Sequence, residues 1–197
     1  MSRTTDNYRK HTTTNPVQKY LIERFYVKFI EEVRWVKPRR VLDVGCGEGF
    51  TLDRLHKAKL GDKLVGIDFL KTAIEIGKKE RPHLDLKEGS IFDIKFKDNS
   101  FDLVVCSEVL EHIEDPEKGL SELARVSSKY VLLSVPNEPW FMGANLIRGK
   151  NLSRLGNDIE HINHWSTTAF KKFVSKHLKI VRVHQPFPWS LVLAEKK

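Results

Sequence analysis

The sequence predicts an α/β fold in which a doubly wound, mostly parallel sheet carries helices on both faces. Two observations predict it directly. From residue 41 onward, short β-branched runs alternate with helix-length segments, the order expected when crossover helices join parallel strands. The first of these runs, VLDVG (41–45), leads straight into glycines at positions 45, 47 and 49, where the backbone must turn sharply and admit a close neighbour. A third observation bounds the size: 197 residues with 40% apolar content suffice for one sizeable core and are too few for two ordinary domains.

The elements follow in order. Residues 1–16 are polar and basic. Asn15 followed by Pro16 is a cap-then-proline signal, and it opens an amphipathic helix through Trp35. Its expected inward residues are Val17, Tyr20, Leu21, Val27, Ile30 and Val33; the helix would cover a sheet edge or close over a bound ligand. The strands expected next are VLDVG (41–45), LVGID (64–68), a weak one at DLKEG (85–89), FDLVVC (101–106) and YVLLSV (130–135). KIVRVH (179–184) and WSLVLAE (189–195) complete the set, separated by QPFP, whose prolines mark a connection. Asp115 with Pro116 caps one later helix and Ser166 another.

Residues 136–165 form the one long stretch of weak periodicity, mixed aromatic and basic. Such a segment in a compact domain carries recognition more often than structure. Trp140, Phe141, Arg148, Lys150 and Arg154 are therefore the candidate substrate contacts, with a small satellite core as the other role for the aromatics. The expected organisation is a single domain over 1–197: a helical cap (1–40), a ligand-binding core (41–135), a substrate-side insertion (136–165), and a last helix with a strand pair (166–197).

Composition narrows the function classes. Cys46 and Cys106 are the only cysteines, which fits neither a disulfide framework nor a four-cysteine zinc site. No stretch approaches the roughly 20 apolar residues that cross a bilayer, so a cytoplasmic protein without membrane span or signal peptide is expected. Residues 1–40 carry ten Lys/Arg against four Asp/Glu, 41–137 fourteen against eighteen, and 138–197 ten against four. Basic flanks around an acidic centre suit an anionic substrate or partner, or simply a solvated basic surface.

The glycine turn offers helix N–H groups and a positive dipole end to an anionic group. Asp68 closes the second strand, about 20 residues further on, where a carboxylate accepts ribose hydroxyls. Together they point to an adenosine-type ligand. After the fourth strand, SEVLEHIEDPE places Glu108, Glu111 and His112 at i, i+3 and i+4. On a helix these three share a face, at the strand ends where open α/β sheets bind ligands. They could form a metal site or an acid/base group, or His112 could simply satisfy a backbone group.

The spacing G-x-G-x-G, with Asp43 two positions ahead, resembles motif I of the class I S-adenosylmethionine (SAM)-dependent methyltransferases, over residues 41–137 and less specifically to the end. The resemblance implies a Rossmann-like seven-stranded sheet with an antiparallel last strand. It also implies that the turn carrying Gly45, Gly47 and Gly49 holds the methionine end of SAM and Asp68 its ribose. Asp43, Cys46, Phe69, Ile91 and Cys106 complete the expected cofactor set. Where many relatives read G-D-A after strand three, this chain reads Gly89, Ser90, Ile91, so Ser90 or Asp93 takes the adenine contact.

EVLEH resembles small-molecule O-methyltransferases, including those of ubiquinone biosynthesis. It is also similar to the enzymes that methylate the 2′-hydroxyl of small RNAs, whose later D-H-x-F-x-W motif matches Glu160 to Trp165, with Glu160 and Asn163 departing from it. That second resemblance implies a Mg2+ or Mn2+ site at Glu108, Glu111, His112 and His161, with His164 outside it. The rival is His112, with Glu111, as acid/base machinery without metal. The expected function is O-methylation of a small hydroxylated, anionic metabolite. The alternatives are a metal-dependent RNA 2′-O-methyltransferase, a SAM-binding protein without catalysis, and, last, a nicotinamide oxidoreductase.

Overall fold

A computed structural model describes residues 5–147 and 160–197. The helices are α1 (Asp6–His11), α2 (Pro16–Val36), α3 (Phe50–Lys57), α4 (Lys71–Glu80), α5 (Pro116–Val126), α6 (Trp140–Ile147) and α7 (Thr167–Val174). The strands are β1 (Arg40–Val44), β2 (Lys63–Asp68), β3 (Asp85–Glu88), β4 (Phe101–Ser107), β5 (Ser127–Pro136), β6 (Leu178–His184) and β7 (Trp189–Lys196).

These strands form one sheet in the order β3-β2-β1-β4-β5-β7-β6. β1 pairs in parallel with β2 and β4, and β7 runs antiparallel to both β5 and β6. The chain therefore winds outward from β1 in one direction and resumes at β4 in the other. Their C-terminal ends splay apart, and ligands of open α/β sheets bind in that crevice.

Side chains alternate across the sheet, so each strand feeds two cores. Leu42 and Val44, with Val104 and Cys106 and Val131, Leu133 and Val135, pack under α5 and α7 through Leu120, Leu123 and Phe170. Val41, Leu103, Val105 and Leu132 face the opposite way, against Phe25 and Phe29 of α2 and Leu52 and Leu55 of α3. Asp43 shares the parity of Val41, and is thus a carboxylate held on the α2/α3 side.

The caps act as the sequence suggests. Asn15 Oδ1 accepts from the N–H groups of Val17 and Gln18, both at 3.0 Å. Asp115 accepts from the Lys118 N–H at 3.0 Å and Ser166 from that of Ala169. The inward face of α2 is rotated from the expected one. Ile22, Phe25, Tyr26, Phe29 and Val33 are buried, whereas Val17, Tyr20 and Val27 are exposed. The aromatic stripe removes more apolar area from water than the aliphatic one, and it fixes the rotation. Glu32 lies in the same stripe, fully buried, and pairs with His184 at 2.7 Å and Arg182 at 3.2 Å.

Two elements appear where none was expected. α1 forms within the polar N-terminal stretch, capped by Thr5. α6 opens the stretch taken as irregular, at Trp140. No described helix is long and apolar enough to cross a membrane.

Candidate active site

β1 ends at a turn whose glycines all adopt positive φ: Gly45 at 78°, Gly47 at 53° and Gly49 at 84°. The turn is bound to β2, since Gly45 N–H donates to the Ile67 carbonyl at 2.8 Å. A Cβ at Gly45 would stand 2.3 Å from Val109 Cγ2, so glycine lets the segment after β4 close down on the turn. Asp68 fastens the same assembly. Its Oδ2 accepts from the Gly47 N–H and its Oδ1 from the Leu70 N–H, each at 2.8 Å. A carboxylate has about four acceptor sites, which leaves Asp68 capacity for hydroxyl donors from the crevice.

The crevice is a cavity of about 1050 Å3, at the large end of the range for cofactor sites. Asp43, Gly45, Cys46 and Gly47 line one wall; Asp68, Phe69, Ser90 and Ile91 line the next. Two expected cofactor residues lie elsewhere. Gly49 caps α3 and packs its backbone against Leu84 and Leu86. Cys106 has the parity of Val104 and is sealed in the α5/α7 core. Of the two adenine candidates, Ser90 lines the cavity, while Asp93 is exposed and paired with Lys95.

Asp43 is 2% exposed and its Oδ2 accepts no hydrogen bond from a described residue. Burial, with the charge of Asp68 nearby, pushes its pKa up to about 7. A buried carboxylate without a partner calls for a cation, and the ammonium at the methionine end of SAM is one. With the positive-φ glycines leaving room for a backbone-hugging ligand, the cradle fits that cofactor.

Sequence reasoning missed the roof. α1 lies over the glycine turn, where the Asn7 amide donates to Glu48 Oε2 at 2.6 Å and Thr5 to Glu48 Oε1. Glu48 itself is buried. His11 stacks on Phe50 with ring centroids 4.6 Å apart, and burial together with Lys10, Arg54 and Arg81 lowers its pKa to about 3. The one available signal was Glu48, a charged residue inside a turn that has to be buried.

Beyond β4 the three-residue spacing is not helical. Glu108 adopts φ 58°, and a single 3-10 turn covers Leu110–His112. Glu108 and Glu111 therefore do not present their carboxylates side by side on one helix face. Glu108 turns toward Lys10, 3.7 Å away, and Ser134 Oγ, 3.2 Å away. Glu111, His112 and His161 do come together, with one ligand atom from each within 4.8 Å of the others; Glu108 is not in this group. Glu111 is 1% exposed, neither of its oxygens accepts a hydrogen bond from a described residue, and burial and Glu108 raise its pKa well above the usual range. Such an orphaned carboxyl beside two imidazoles fits a divalent cation of the Mn2+ or Mg2+ kind.

His112 lines the cavity, and its Nδ1 lies 2.9 Å from the Glu160 carbonyl oxygen. A carbonyl only accepts, so Nδ1 carries the proton and Nε2 presents its lone pair. The return segment is tied down here: Ile162 and Asn163 N–H groups donate to the Glu111 carbonyl, and the Asn163 amide to those of Leu110 and Ile113. Among the substrate candidates, Trp140 is 60% exposed and Phe141 packs on His161 at 5.2 Å; neither lines the cavity. Arg148, Lys150 and Arg154 lie outside the described residues.

Sheet order, glycine turn and the Asp68 carboxylate at the end of β2 shape a crevice on a Rossmann-like sheet, a fold shared with known methyltransferases. Residues 42–133 match the family described as "Methyltransferase domain". The chain is 34% identical over 119 residues to demethylmenaquinone methyltransferase of Renibacterium salmoninarum, covering 60% of this chain and 49% of that protein. It is 34% identical over 118 residues to ubiquinone biosynthesis O-methyltransferase of Coxiella burnetii, covering 56% and 50%. The matches thus span about half the length of these relatives. Among solved structures, magnesium protoporphyrin IX methyltransferase from Synechocystis PCC 6803 with bound SAH shares the fold. It has a TM-score of 0.72 at 18% identity, covering 96% of this chain and 92% of that one.

Proposed function

We propose that this protein transfers the methyl group of SAM to a hydroxyl of a small, anionic metabolite. Bound SAM supplies a methyl group made electrophilic by its sulfonium. Asp43 receives the ammonium end, Asp68 the ribose hydroxyls and Ser90 the adenine side. α1 shields the site from water, which sharpens every charge interaction inside. Lys10, at the cavity wall beside Glu108, supplies a cation for an anionic acceptor.

One observation carries the catalytic assignment: the Nδ1 contact to the Glu160 carbonyl fixes the His112 tautomer with Nε2 as the base. Nε2 accepts the acceptor's hydroxyl proton as the oxygen attacks, and the imidazolium releases it later to water. His112→Ala should lower turnover by at least about 100-fold while SAM affinity, read by calorimetry, changes by less than about twofold. Retained turnover would remove His112 from the mechanism.

The orphaned Glu111 carboxyl favours a second reading, in which Glu111, His112 and His161 hold a divalent ion that lowers the acceptor's pKa. RNA, met by the basic flanks, is then the alternative acceptor. Turnover that disappears with chelator and returns with Mn2+ supports this reading; turnover indifferent to chelator leaves His112 as a base acting alone.

A further inference from the structure

Glu138 lies two residues past the end of β5, and the backbone holds it tightly. Its N–H donates to the Trp165 carbonyl at 2.9 Å, and its Oε2 accepts from the Met142 N–H at 3.1 Å. The other oxygen, Oε1, is buried without a hydrogen bond from any described residue, on a side chain 9% exposed. It faces two imidazoles of the return segment, with His161 Nδ1 at 4.0 Å and His164 Nδ1 at 3.9 Å.

These separations are too long for hydrogen bonds, which end near 3.2 Å. They are slightly wider than the roughly 3.4 Å between neighbouring ligands of a tetrahedral ion bound at about 2.1 Å. One carboxylate and two histidines make a donor set suited to Zn2+. None of the three residues lines the cavity, so the cluster stands apart from the wall where the methyl acceptor is expected.

We infer that Glu138, His161 and His164 form a three-ligand divalent-metal site, of the Zn2+ type with its fourth position left to water, that staples the return segment to the end of β5. The site is separate from any ion at Glu111 and His112 and shares with it only His161. A metal here clamps the residues on either side of the 148–159 connection, and through Asn163 it steadies the carbonyl of Glu160 that orients His112. It does not require that methyl transfer be the reaction.

The test uses the full chain, stripped with chelator and titrated with Co2+, whose visible absorption reports an ordered low-coordinate site. Wild type should give a saturable band that Zn2+ displaces. Glu138→Gln, which keeps an acceptor for the Met142 N–H, and His164→Ala, on a half-exposed side chain, should each weaken binding by about 100-fold or more, at or beyond the upper end of what losing a mere supporting partner costs. Glu111→Gln and His112→Ala should keep the band. No band in the wild type overturns the inference, as does a band that survives His164→Ala. A band lost in Glu111→Gln but kept in Glu138→Gln also overturns it and moves the ion to the neighbouring site, where it favours the metal-assisted reading of methyl transfer over His112 as a base acting alone.

Discussion

Asp43 concentrates the physical argument at the level of single residues. An isolated carboxylate in a dry strand end is costly in its charged form, and its pKa of about 7 measures that cost. Because the folded value lies above the unfolded one, the stability linked to this proton is present below the unfolded pKa and lost as pH rises through about 7. Asp43→Asn should therefore raise the melting temperature of the ligand-free protein at pH about 8, by up to about 4 kcal/mol of stability, and leave it nearly unchanged near pH 4. SAM affinity should move the other way. An ammonium partner favours the charged carboxylate, so wild-type affinity should climb as pH rises through neutrality, and Asp43→Asn should flatten that climb. Calorimetry at three pH values checks both. Equal pH profiles for wild type and variant would separate Asp43 from the cofactor.

Among the elements, α1 is the piece that most changes the picture of the site. It has only six residues, too few to be stable alone. It is held from outside, by Thr5 and Asn7 on Glu48 and by His11 on Phe50. Removing residues 1–11 should leave the sheet folded and speed SAM dissociation by about tenfold or more. Stopped-flow release of a fluorescent SAM analogue measures this, and an unchanged rate would mean that α1 does not cover the cofactor. These features also show why part of the site was legible in the sequence and part was not. Glycine at positive φ and an acid at a strand end are local requirements, so Gly45, Gly47 and Asp68 could be read directly. α1 has no apolar period of its own, and the partners that hold it are 39–43 positions away. The face of α2 was misread for a related reason: aliphatic and aromatic stripes compete on one helix, and only the shape of the sheet beneath decides between them. Glu108 departs from helical spacing because its backbone turns left-handed, at a cost of about 1–2 kcal/mol that no composition rule announces.

The molecule as a whole joins a core with the methyltransferase pattern to a segment after β5 that carries its own chemistry. The strand positions follow from the alternation of β-branched runs with helix-length segments, whereas the seven-stranded sheet with its antiparallel last strand was implied by the resemblance to the methyltransferases alone. The histidines of residues 160–165 gain meaning only when the chain returns to β4 and β5. Charge separates the candidate acceptors at this scale. Contacts to RNA phosphates would make binding fall steeply with salt, whereas a small metabolite should show little such dependence.

The central claim is methyl transfer from SAM, and it is tested most directly by incubating the purified protein with radiolabelled SAM and a cell extract, then separating RNA from small molecules. Label is expected in the small-molecule fraction, dependent on His112 and little affected by salt. Label confined to RNA would contradict the assigned acceptor, and no transfer into either fraction, with SAM bound, would contradict catalysis itself.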